Sequence, residues 1–132
     1  MEWIVKTEII DVVTKELVEN SSRSAIYTLF DKVLEDKEYY QKAFDIGGQN
    51  GFSDVLCDLV TEMFASVMSE ELLKEYDFLT KDVVARYYAT GAVAVLKYEV
   101  FRTGERKSEE ICDGYRYLMQ RSIFDFVPPR QG

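Results

Sequence analysis

Histidine is absent from the 132 residues, and proline and cysteine occur only twice each. Without histidine there is no Ser-His-Asp or Cys-His arrangement, and the commonest metal ligand and proton acceptor near neutral pH is missing. Both prolines, Pro128 and Pro129, lie in the tail, so nothing before them obstructs a helix. Cys57 and Cys112 stand apart, in no Cys-x-x-Cys pair. Residues 1–6 show no basic region leading into a long apolar one, hence no secretory signal, and the thiols read as reduced ones in a cytoplasmic protein. Long apolar runs are lacking too. The longest, residues 92–96, is far too short to span a bilayer. Basic residues are in the minority, with 16 Lys and Arg against 24 Asp and Glu and a formal net charge of −8. Such a surface repels a phosphate backbone, whose binding rests on cations releasing counterions. Direct nucleic-acid binding and binding to anionic membranes are both disfavoured.

What is present is the composition of a folded domain: 47% hydrophobic and 30% charged residues, with nine Tyr and eight Phe. The length predicts one domain spanning residues 1–132, able to bury roughly two-thirds of the surface its unfolded chain exposes. No repeat, low-complexity tract or linker interrupts it. The apolar spacing is helical throughout, which predicts an all-α bundle of five to six helices.

The first helix is expected over residues 2–18, with Trp3, Ile10, Val13 and Leu17 on one stripe, widened by Ile9 and Val12. Asn20, Ser21 and Ser22 break it and offer an N-cap to a second helix carrying Ile26, Leu29, Phe30, Val33 and Leu34. A short third piece has Tyr39, Tyr40 and Phe44 on its apolar side. The glycine-rich residues 45–51 end it, and Asn50 can cap a helix over residues 51–68 bearing Phe52, Leu56, Leu59, Val60, Met63, Phe64 and Val67. Ser69 then caps an amphipathic turn with Leu72, Leu73, Tyr76 and Phe78.

The last two helices have oversized apolar faces. Over residues 81–101 nearly every position is apolar, so one side suits cover from the same subunit and the other a second copy. Small residues Ala89, Gly91, Ala92 and Ala94 allow close backbone approach, and Thr103-Gly104 supplies the stop. The final helix starts at Ser108, with Glu109 and Glu110 at the positive end of its dipole, and is expected to run to the prolines. Ile111, Tyr115 and Leu118 form one stripe on it, and Cys112, Met119, Ile123 and Phe126 another. Two such helices per subunit fit a four-helix dimer interface, and they also fit an intramolecular bundle.

No reaction centre emerges. The adjacent acids Glu35-Asp36, Glu70-Glu71 and Glu109-Glu110 point to different sides of a helix and fit solvated faces. Gly47, Gly48 and Gly51 lack the Lys-Ser/Thr of a phosphate loop and follow no strand. No catalytic residue, metal site or cofactor is expected. The aromatic side chains Phe30, Tyr40, Phe44, Phe64 and Tyr88, from separate helices, can line a cavity for a small apolar or aromatic effector or fill a plain core. Cys57, inside the apolar run 55–59, is an inert packed thiol on its own and a wall residue if that cavity is open.

The order of segments resembles a known family. Residues 35–44, Glu-Asp-Lys-Glu-Tyr-Tyr-Gln-Lys-Ala-Phe, followed by Gly48-Gln49-Asn50-Gly51-Phe52-Ser53, are similar to a helix end and helix start in the effector domains of TetR-type regulators from Gram-positive bacteria. Residues 84–98 resemble that family's "Phe-Tyr-Ala-x-Gly-x-x-Gly-Ile-Ile-Lys-Trp" helix. Residues 106–111 resemble its "Lys-x-Ser-Pro-Glu-Glu" opening, and Trp3-Ile4 the helix after the DNA-binding part. The DhaS-like branch, which answers to a dihydroxyacetone-kinase-like protein, is the nearest in flavour.

The resemblance implies a regulatory domain that homodimerises through its last two helices, with Tyr87, Val95, Tyr98, Tyr115, Leu118 and Phe126 in the contact. It implies an effector or a protein coactivator as partner, and DNA contact only through an N-terminal helix-turn-helix domain, expected to be absent from this chain. A helical adaptor that binds a protein and no small molecule is the alternative.

Overall fold

The structure, a computed structural model, describes residues 2–45, 51–74 and 77–129. Expectations for Ile46 to Asn50 and for Tyr76 lie outside those residues, as do the side chains of Trp3, Ile10 and Leu72. Among the described residues the chain forms seven α-helices and a closing 3-10 turn. They are α1 (Glu2–Glu19), α2 (Ser22–Leu34), α3 (Lys37–Asp45), α4 (Phe52–Ser66), the single-turn α5 (Glu70–Leu73), α6 (Lys81–Phe101), α7 (Ser108–Met119) and the 3-10 turn Ile123–Phe126. The all-α class expected from the periodicity is what the chain adopts.

The junction of α1 and α2 shows how local chemistry sets the boundaries. Ser21 is extended, and its hydroxyl accepts the Ser24 N–H at 3.1 Å, supplying an N-cap. The Glu16 carboxylate accepts from the Asn20 amide and the Ser24 hydroxyl, both at 2.9 Å, tying the last turn of α1 to the first of α2. Those two bonds hold the Glu16 pKa below its usual value. Thr80 caps α6 in the same manner, accepting the Val83 N–H at 3.2 Å. At α4 the cap falls on Gly51, with no side-chain bond.

The core gathers one stripe from each long helix: Ile9 and Val13 of α1, Leu29, Phe30 and Val33 of α2, Leu56 and Val60 of α4, and Leu96 and Val100 of α6. The most extensive packing is of α4 along α6. It is close because α6 turns Ala85, Ala89 and Ala92 inward, all fully buried. Its opposite side, with Tyr87, Ala94 and Tyr98, is left uncovered by the chain. Near its end α6 buries a carboxylate, Glu99, held by Arg102 Nε at 2.8 Å and Arg106 Nη1 at 3.5 Å.

One element departs from expectation. The last helix does not run to the prolines; it ends at Met119. The N–H groups of Gln120 and Arg121 bond three residues back, to Tyr117 and Leu118, which tightens the final turn. Ser122 is extended and opens a new turn with its own capping box: its hydroxyl accepts from Phe124 N–H, and its N–H donates to the Asp125 carboxylate at 2.9 Å. A strong local start signal at Ser122 outcompetes the helical stripe that Ile123 and Phe126 suggest.

Candidate functional site

The aromatic side chains expected around a cavity lie in the packed core. Phe30, Tyr40, Phe44 and Phe64 are all buried, and their neighbours are other side chains. Phe44 meets Phe52 edge-on with centroids 4.8 Å apart, Tyr40 packs tilted on Phe52 at 5.6 Å, and Phe30 packs on Tyr115 at 5.6 Å. Edge-on and tilted pairs at these distances are contact geometry, with the rings packed on one another. Four of the six residues assigned to a pocket are therefore core. Cys57 is half-buried on the α4 side of α6, with Sγ 3.6 Å from Thr90 Oγ1 and 4.0 Å from Arg86 Nη1. Arg86 itself is paired to Asp58 at 3.1 Å, a bond that raises the guanidinium pKa.

An open groove lies elsewhere, between α6 and α7, with a volume of about 740 Å³. Tyr87, Tyr88, Gly91 and Val95 of α6 form one wall, and Leu118 and Met119 of α7 the other. Of the expected pocket residues, Tyr88 alone lines it. The groove exists because α7 is drawn toward α2 and away from α6. Asp113 accepts the Tyr27 hydroxyl, Arg116 donates to the same oxygen at 3.2 Å, and Ser108 donates to Asp31 at 2.9 Å. The bond to Tyr27 raises the pKa of Arg116. The floor is a single tie, the Tyr115 hydroxyl donating to the Tyr88 carbonyl at 2.7 Å. Gly91 faces that ring, where a methyl group would sit 3.7 Å from Tyr115 Cε1. Burial raises the Tyr115 phenol and pushes the neighbouring Cys112 thiol up to about 12, so both are neutral at physiological pH.

The residues assigned to a dimer contact divide. Tyr87 (74% exposed), Tyr98 (68%), Leu118 and Phe126 are exposed, and Val95 is half-buried in the groove wall. Tyr115 is only 4% exposed, turned inward onto Phe30 and Tyr88, and forms the groove floor, so a second copy reaches it only through the groove. Its stripe partner Leu118, one turn on, points outward, because the apolar arc of α7 is wider than the strip α2 covers. Sequence reasoning missed Tyr117, Phe124 and Val127, which are exposed on the same stretch of chain. The available signal was the Phe-Asp-Phe of residues 124–126 beside two prolines, too short for a helix stripe.

Among the described residues, no three Cys, Asp or Glu side chains are grouped to hold a metal ion, and no helix is long and apolar enough to cross a membrane. The chemistry on offer is that of a binding surface: exposed aromatic and aliphatic side chains around a groove, on a rigid helical body. No curated protein and no solved structure matches the chain. Residues 20–120 match the family described as the transcriptional regulator C-terminal region of TetR type, a span from the α1–α2 junction to the end of α7. With most of its length inside that match, and an all-helical fold to go with it, the chain belongs to the family of C-terminal regions of TetR-type transcriptional regulators.

Proposed function

We propose that this domain is the homodimerising, signal-receiving part of a TetR-type regulator of the DhaS-like branch, acting in the cytoplasm on a separate DNA-binding domain of the same regulator. One observation carries the dimer: α6 leaves Tyr87, Ala94 and Tyr98 exposed on a single face, beside the exposed Tyr117 and Leu118 of α7. The small Ala94 between the two tyrosines lets a second helix approach closely, with the rings closing over it. A two-fold contact of this kind is isologous, and a stable one buries on the order of 1,600 Å² in total.

The test is the mass of the domain by light scattering at micromolar concentration, where a dimer is expected. Tyr98→Glu and Leu118→Glu each set two carboxylates into the apolar contact, and each should give the monomer mass with helicity unchanged. A monomeric wild-type domain overturns the proposal, and dimers that survive both substitutions place the contact elsewhere.

The expected aromatic cavity is packed as core, so the signal is received at the surface, by a protein coactivator or by a compound seated in the α6–α7 groove. The partner would act by binding one spacing of the two DNA-binding domains better than another, shifting a pre-existing equilibrium. The negative charge of the chain suits this division of labour, since DNA contact then falls to the other domain.

A further inference from the structure

We propose that the α6–α7 groove of one copy is filled by the 123–127 segment of the second copy, so that the dimer is closed by exchanged C-terminal turns. This rests on the dimer reading above and names what occupies the groove.

Among the described residues the segment is an apolar plug that its own chain leaves mostly exposed. Ile123 is 73% exposed and Phe124 77%, with Phe126 and Val127 more than half exposed. None of the four lines the groove of its own chain. Apolar side chains held in water are ordinarily tethered loosely, yet this turn is fixed. The Ser122–Asp125 capping box holds its start, and the Phe126 ring meets Tyr117 edge-on at 6.4 Å. Pro128 and Pro129 stiffen its exit. A plug already in shape loses little conformational entropy on docking, so more of its apolar burial remains as affinity.

Plug and socket belong to one patch. Leu118, Met119 and Arg121 line the groove, and the chain passes from Arg121 through Ser122 straight into the plug. A two-fold contact must be complementary to itself, and a patch with a concave and a convex apolar half meets that condition when each half takes the other's counterpart. Charge is no obstacle. Asp125 is the one charge between residues 122 and 129, and the groove carries Arg121 against Asp82, with Arg86 paired to Asp58. The sizes agree. The two phenylalanines, at these exposures, offer on the order of 250 Å² per copy, judged from the area an aromatic ring can bury. Both plugs together then supply roughly a third of a standard interface, and the α6 faces supply the rest.

The experiment mixes two forms of the full chain. One, unlabelled and carrying Cys57→Ser with Pro129→Cys, bears a nitroxide on the new thiol. The other is isotopically labelled wild type. Only a neighbouring copy can then broaden the labelled amides, and Gly91, Val95 and Leu118 are expected to broaden. In parallel, Phe124→Ser with Phe126→Ser should weaken dimerisation at least tenfold by sedimentation, with helicity unchanged. A dimer without broadening at the groove, or one that loses both rings with no change in affinity, overturns the exchange and leaves the dimer standing. A wild-type monomer overturns both.

Discussion

At the level of single residues, the most consequential side chains are those the fold forces to stay neutral. The Cys112 thiol, in full burial beside Asp113, is pushed up to about 12 from an ordinary value near 9, by desolvation first and the nearby carboxylate second. As pH rises past 9, the unfolded chain gives up this proton and the folded chain keeps it. The folded state then binds more protons, so stability falls with rising pH between about 9 and 12. Each such group contributes a slope of at most about 1.4 kcal/mol per pH unit. Tyr115 acts with the same sign from its own ordinary value near 10 upward. Cys112→Ala should therefore flatten the alkaline limb of the stability curve by one proton's share, measured by urea unfolding from pH 8 to 10.5. A limb of unchanged slope would show that the thiol is not the group responsible. That Cys112 is a buried thiol was legible from its place in the apolar pattern. Whether the aromatic side chains fill a core or ring a hollow was not, because a stripe fixes which way a side chain points and says nothing about what it meets.

Among the elements, α6 carries the most information and the one polar feature that its apolar pattern hides. Glu99 is 7% exposed at its side chain and lies against Arg102, itself 23% exposed. Arg102 also donates from Nη1 to the Thr103 carbonyl at 3.0 Å, while its Nη2 is buried with no hydrogen bond among the described residues. Removing the carboxylate strands a half-sequestered guanidinium. Full burial of both ions would put the loss at about 3–5 kcal/mol, and access of water to Arg102 and Arg106 reduces it. Glu99→Ala is expected to cost about 2 kcal/mol, read as a lower urea midpoint at an unchanged slope. A loss below about 0.5 kcal/mol would mean that the triad is solvated in the folded protein. The start of α2 was readable from Ser21, since a cap is local chemistry, whereas at α7 the cap position falls on Lys107 with no side-chain bond and the expected cap Ser108 donates to Asp31 instead. The end of α7 was not readable, because the apolar spacing of Ile123 and Phe126 mimics a continuing helix and Ser122 decides otherwise.

For the whole molecule, the decisive fact is that α7 leans on α2. The Tyr27–Asp113, Arg116–Tyr27 and Ser108–Asp31 bonds join residues 77 to 89 positions apart in sequence, and together they open the groove on the α6 side. With the described aromatic side chains packed on one another, small apolar or aromatic compounds are expected to find no site in the core. A panel of them should move the unfolding midpoint by less than about 1 °C. A compound present at a hundred times its dissociation constant would add about 2.7 kcal/mol, or about 10 °C for a domain of this size. A shift of that order from any one compound would show a ligand site in the core or in the α6–α7 groove, and would restore the small-molecule reading over the protein coactivator.

The sequence by itself determined the helical class, the Ser21 cap, the inward stripes and an acidic surface unsuited to nucleic acid. All of these follow from spacing and residue chemistry within a few turns of chain. Only the tertiary structure decided that the aromatic side chains close on one another, that Tyr115 turns inward while Leu118 turns outward, and that the hollow lies between α6 and α7. Those outcomes depend on which helix α7 leans toward. That is a competition among contacts distant in sequence, whose relative strengths no local pattern records.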